Sequence, residues 1–169
     1  ILLPQGTYTV FIMDGNGCVV DSTIEITEPT ALTGAITDQI DVDCFGLNTG
    51  SFTVNGSGGT PGVLPNDYTY SLDGGATTQA SGTFNNLSAG TITVTVIDAN
   101  GCAEDVPVPI TEPLDLTGSI TAQTNVDCNG NSTGSVTIEV DAGTGTEPYL
   151  YSTDGGATTQ PSGTFNGLS

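Results

Sequence analysis

Residues 6–29 read GTYTVFIMDGNGCVVDSTIEITEP, and residues 90–113 read GTITVTVIDANGCAEDVPVPITEP. Both stretches hold a run of alternating polarity, a turn ending Asn-Gly-Cys, a second alternating run and a closing Thr-Glu-Pro. Gly6 returns as Gly90, which sets a period of about 84 residues, a size that marks a repeat architecture. Within each stretch Tyr8, Val10 and Ile12, or Ile92, Val94 and Val96, fall on one face of the first arm. That period of two belongs to a half-buried strand. Asn16-Gly17 and Asn100-Gly101 supply residues that tolerate positive φ, as a hairpin turn requires. The return arms are expected to bury Val20, Ile24 and Ile26, or Val106, Val108 and Ile110. Pro107 and Pro109 remove two amide donors from one side of the second return arm, so that side is expected to be a sheet edge.

Outward from the hairpins the repeat continues. The alternating run 31–42, with Leu32, Ile36 and Ile40, has its counterpart at 114–126. Turns at 44–50 and 128–134 lead into strands carrying Phe52 and Val54, or Val136, Ile138 and Val140. Across the loop at 58–66 and its counterpart at 142–148 the repeat offset falls by three, from 84 to the 81 that relates Tyr70 to Tyr151, as a surface loop permits. Tyr68 and Tyr70, or Tyr149 and Tyr151, then alternate on what reads as a central strand. Asp73-Gly-Gly and Asp154-Gly-Gly turn the chain before Phe84 and Leu87, or Phe165 and Leu168. No helical period occurs. Six or seven short strands per period predict an all-β chain of tandem immunoglobulin-like β-sandwich repeats. Residues 1–29 read as the C-terminal hairpin of an incomplete repeat, 30–113 as a complete repeat and 114–169 as the N-terminal part of a further one. On this reading the 169 residues are an excerpt from a longer array.

The chain has 19 Asp and Glu but no Lys, Arg or His. That balance argues against nucleic acid, anionic membrane or membrane insertion, since partners of those kinds need basic groups or a long apolar run. Without His or Lys a general base must be a carboxylate. Glu104 and Asp105 are neighbours, but on a strand they point to opposite faces, so no catalytic pair forms and no enzyme is expected. Asp14 and Asn16, and likewise Asp98 and Asn100, place oxygen ligands at alternate positions as a calcium loop begins. No Glu closes either loop at the spacing of an EF-hand, and Asp and Asn are also what a hairpin turn selects. Asp41 and Asp43 read as solvated strand residues. The tyrosine pairs could form a platform for surface polysaccharide, but tyrosines at alternate strand positions are usually core.

The four cysteines repeat at the same offset, Cys18 to Cys102 and Cys44 to Cys128. With no His to complete a zinc site, they predict disulfides and an oxidising location. Three pairings fit. Cys44 could join Cys102 within one repeat. Cys18 could join Cys44, and Cys102 join Cys128, between consecutive repeats. Or the cysteine after one repeat's first strand could join the Asn-Gly-Cys of the following repeat, with the partners of Cys44 and Cys102 outside residues 1–169. An eight-residue strand spans roughly 26 Å, far beyond the ~7 Å Cα separation that a disulfide allows, which strains the first pairing. Pro107 and Pro109 weaken the second. The third places both cysteines at one junction of a head-to-tail array and is the expectation carried forward.

Several motifs carry a family resemblance. They are Val-Asp-Cys-x-Gly at 42–46 and 126–130, Thr-Gly-Ser at 49–51 and 133–135, Tyr-x-Tyr-Ser at 68–71 and 149–152, and Asp-Gly-Gly-Ala-Thr-Thr-Gln at 73–79 and 154–160. Leu-Ser-Ala-Gly-Thr at 87–91 and Asp-Ala-Asn-Gly-Cys at 98–102 complete the set. In this order they resemble the SprB repeat. Leu72 and Thr153 stand where the family pattern has Trp. The resemblance implies a secreted, cell-surface adhesin of gliding bacteria, exported by type IX secretion. Its partners would be neighbouring repeats, other copies in a filament and surface polysaccharide. Together with the repeated cysteines and the prolines of Thr-Glu-Pro, the reading is a disulfide-stabilised shaft whose Thr-Glu-Pro junctions limit bending; the alternative is a lectin-like, calcium-dependent module that binds glycan. Asp21-Ser22-Thr23 resembles a short O-glycosylation motif of such proteins, which makes Ser22 a candidate acceptor; the plainer reading is an exposed polar strand edge.

Overall fold

The computed structural model describes residues 2–62 and 67–169. The part of the 58–66 loop beyond Gly62 therefore lies outside the described residues. Among those described there is no helix, and every mapped strand pairing is antiparallel.

Strands β1 (Gly6–Met13) and β2 (Val19–Ile26) form a two-stranded hairpin in which Tyr8 faces Ile24, Val10 faces Ser22 and Ile12 faces Val20. Strands β3 (Thr33–Ile40), β4 (Gly50–Ser57), β5 (Thr69–Ser71), β6 (Thr83–Leu87), β7 (Gly90–Ile97) and β8 (Ala103–Ile110) follow. They build two sheets of order β3-β4-β6 and β5-β7-β8. Strands β9 (Gly118–Thr124), β10 (Gly134–Val140) and β11 (Thr164–Leu168) form a last sheet of order β11-β10-β9. β9, β10 and β11 are the counterparts of β3, β4 and β6.

The chain divides into two compact units, Ile1–Ala35 with Val54–Gly82 and Thr93–Val106, and Ile36–Thr53 with Thr83–Ile92 and Pro107–Ser169. In the first unit the two sheets meet at Val54, Val94 and Val96, all fully buried. They approach so closely at Gly34 that a Cβ there would come within 2.6 Å of Val106 and 2.9 Å of Val96. In the second unit Gly50 fits in the same way, with the Ile110 methyl and the Leu87 carbonyl both 2.9 Å from the position of a Cβ. Phe52 and Phe84 stack at 5.3 Å between ring centres in that unit. In each unit β layers thus pack face to face, and the core alternates as the sequence does.

β8 lies at a sheet edge, as Pro107 and Pro109 require. Ile36 and Ile40, on the edge strand β3, are exposed. Two expectations need correction. The tyrosine strand is not central: β5 is three residues long and sits at an edge of its sheet, paired to β7, with an isolated bridge from Tyr70 to Gln79. Val20 and Ile24 are exposed and Ile26 is only half-buried. Among the described residues no second sheet covers β1-β2.

Candidate functional site

The Asn-Gly-Cys turns are three-residue hairpin loops closed by an aspartate. Asp98 accepts the amides of Asn100 and Cys102 on Oδ1, at 3.0 and 2.8 Å, and the amide of Thr60 on Oδ2 at 2.8 Å. Gly101 takes φ +80°, the left-handed residue that such a loop needs. The amide of Thr60, followed by those of the turn, holds the Asp98 carboxyl below its ordinary pKa. Asp14 repeats the turn with Asn16 and Cys18. The calcium candidates therefore divide by role. Asp14 and Asp98 point their oxygens at amide donors. The Asn100 side chain donates to Thr60 Oγ1 at 3.0 Å, and Asn16 meets Asp14 through its backbone amide. No group of three acidic or thiol side chains among the described residues is placed to hold a metal ion.

The tyrosines are turned inward. The Tyr70 ring is buried, and its hydroxyl accepts the Gly56 amide at 3.0 Å. The Tyr68 hydroxyl donates to the Gly58 carbonyl, as that of Tyr149 does to Thr144. Asp105 accepts the Thr95 hydroxyl at 2.7 Å, so it braces the β7-β8 hairpin. Ser22 is exposed and lies across from Val10, on the apolar face of its hairpin.

The junction between repeats is built on the Thr-Glu-Pro segment and on Asp41, which the sequence marked only as a solvated strand residue. Asp41 accepts the Thr111 amide at 2.9 Å, and the Thr111 carbonyl accepts the Val42 amide at 2.9 Å. The Gln39 side chain donates to the Pro109 carbonyl at 2.7 Å. The chain leaving β3 thereby runs along the free edge of β8. Glu112, from Thr-Glu-Pro, accepts the Gly46 amide at 2.7 Å and fastens the Cys44 loop to the start of the linker. The bond from Thr111 lowers the Asp41 pKa. The Thr-Glu-Pro segment is therefore stiffened by two hydrogen-bonded clamps in addition to its proline.

Beside this clamp is a groove of about 350 Å³, lined by Cys44, Phe45, Leu114, Leu116, Gly145 and Thr146 among others. Gly145 binds back to Leu114 through its amide, as Gly59 binds to Thr30. Thr146 therefore corresponds to Thr60, the residue on which the Asp98 turn sits.

All four cysteines are free and exposed, so neither pairing internal to the chain is formed. Cys18 and Cys102 belong to one compact unit, Cys44 and Cys128 to the other.

The family model of the SprB repeat matches the chain twice, at residues 36–77 and 120–158. Each match runs from the first strand of a repeat to the Asp-Gly-Gly turn. Searches of curated proteins and of solved structures return no match. The chain belongs to the SprB-repeat family.

Proposed function

We propose that these SprB repeats form the shaft of a secreted cell-surface adhesin or filament used in attachment or gliding, and that the role is mechanical rather than catalytic. The observation that carries this reading is the junction, where Asp41, Gly46, Thr111 and Glu112 tie one repeat's first loop to its exit linker. A stiff junction at the end of every repeat sets reach and limits bending. An all-acidic surface keeps such a rod soluble and extended.

The same junction favours a disulfide staple between consecutive repeats. In the complete repeat the Asn-Gly-Cys turn is held by Thr60. Thr146, the corresponding residue of the next repeat, lines the groove that Cys44 also lines. In an array, the following Asn-Gly-Cys cysteine would arrive beside Cys44. A non-reducing peptide map of the native surface protein tests this. Peptides joining each Val-Asp-Cys to the next repeat's Asn-Gly-Cys are expected. A bond between the Cys44 and Cys102 positions of one repeat, or free thiols throughout, would overturn the staple.

A further inference from the structure

We infer that the Thr60 hydroxyl and the Asn100 carboxamide condense into an ester, a covalent stitch between the 58–62 loop and the β7-β8 turn of the complete repeat. The inference rests on the geometry of that turn and goes beyond the adhesin reading, since it needs no cysteine and no neighbouring repeat. Every group involved lies in the first compact unit.

Thr60 is pinned to the turn on both sides of its backbone. Its amide donates to Asp98 Oδ2 at 2.8 Å, and its carbonyl accepts the Ala99 amide at 3.1 Å. The loop lies so close to Asp98 that a Cβ on Gly59 would come within 2.7 Å of the carboxylate. With its backbone held, the half-buried Thr60 side chain is placed by χ1 alone, and its Oγ1 sits 3.0 Å from Asn100 Nδ2. That hydrogen bond is donated by the amide, so the carboxamide meets the hydroxyl oxygen edge-on. The terminal torsion of asparagine is broad, and a quarter-turn about it presents the face of Cγ to the same oxygen. Nucleophile and electrophile are thereby held together before they react, which is where intramolecular acyl transfer gains its rate.

An Asn-Gly pair has another outlet, in which the glycine nitrogen attacks the asparagine side chain and closes a succinimide. Here that nitrogen is engaged. The Gly101 amide donates to the Asp98 carbonyl at 3.1 Å, while the Asn100 side chain is turned across to Thr60. The nucleophile facing the carboxamide is therefore the Thr60 hydroxyl.

The chain has no His or Lys, so the base must be a carboxylate. Asp98 is in place: it is buried, and it is bound to the backbone amide of Thr60 itself. Asp98 takes the Thr60 hydroxyl proton as Oγ1 bonds to Asn100 Cγ. The Cγ–Nδ2 bond then breaks, and the proton passes from Asp98 to the departing nitrogen, which leaves as ammonia. One bond forms and one breaks, nothing is oxidised or reduced, and no co-reactant is consumed. Asn100 is exposed, so ammonia escapes to solvent, where its protonation at neutral pH draws the exchange forward. The ester joins positions 40 residues apart and so constrains the unfolded chain as well as the turn.

Mass spectrometry of the intact chain after incubation at neutral pH is expected to show a species one ammonia lighter than the sequence. Peptic digestion at acid pH, which spares esters, should yield a branched peptide joining Thr60 to residue 100. Mild alkali should split it into a threonine peptide and a peptide with aspartate at residue 100. Thr60→Ala and Asn100→Ala should each abolish the branched peptide, and Thr60→Ser should retain it. Asp98→Asn keeps an acceptor for the Thr60 amide but removes the base, and should slow the reaction by roughly a hundredfold. The inference is overturned if residue 100 keeps its ammonia at every time of incubation. It is equally overturned if residue 100 still loses ammonia in Thr60→Ala, which would assign the loss to a succinimide with Gly101. An Asp98→Asn variant that forms the branched peptide as fast as the native chain would overturn the part given to Asp98.

Discussion

The carboxylate of Glu112 accepts the backbone N–H of Gly46 at 2.7 Å, across 66 residues of sequence. Glu112 begins the passage between repeats, and Gly46 lies in the loop that follows the first strand. The bond makes the linker part of the repeat it leaves.

Glu112→Ala is therefore expected to lower Tm by a few degrees, with a larger effect on the disposition of neighbouring repeats than on their cores. Small-angle scattering of a multi-repeat chain should show a broader distribution of lengths for the variant. An unchanged distribution would mean that Pro113 alone stiffens the junction.

Val94→Ala and Val10→Ala remove the same atoms from the same place in two hairpins. In dilute solution Val94→Ala should destabilise the sandwich by about 2 kcal/mol, the transfer and cavity cost of two buried methyls. Val10→Ala should change stability by less than about 0.5 kcal/mol. Chemical denaturation of both variants checks the pair.

The acidic turns predict a pH dependence. The Ser71 hydroxyl and then the Thr77 amide hold the Asp73 carboxyl down to about 2. Ser152 and Thr158 lower Asp154 in the same way. A carboxyl whose folded pKa is depressed contributes stability that is complete above its unfolded pKa and is lost as pH falls through the folded value. The advantage of the native protein over Asp73→Asn should thus be full above pH ~4 and shrink toward pH 2. An advantage independent of pH across that window would show that the side chain does not act through its charge.

Asp98 serves as a backbone acceptor, so removing divalent ions should not alter stability. Thermal unfolding with and without a chelator should coincide. Asp98→Ala, which leaves the amides of Thr60, Asn100 and Cys102 without their acceptor, should lower Tm by several degrees in both conditions. A large fall on chelation of the native chain would assign calcium to these turns.

The local structure was legible because strands and turns leave short-range marks. Alternation at 90–97 gave β7, Gly101 after Asn100 gave the hairpin loop, and Pro107 with Pro109 gave the edge. The return of Gly6–Pro29 at Gly90–Pro113 gave the repeat. Alternation reports which side chains share a face, as it did for Val94 and Val96, but not which distant sheet packs against them. Nor could it show Asp41 and Glu112 as clamps, because their partners Thr111 and Gly46 are about seventy residues away and hydrogen-bond through the backbone, which has no residue identity to read. The tyrosine strand was misplaced for the same reason: a strand's position in its sheet depends on which distant strand pairs with it. Composition and period determined the class of this protein. Long-range backbone pairing and sheet-on-sheet contact decided how its sheets close on one another and where its repeats are fastened.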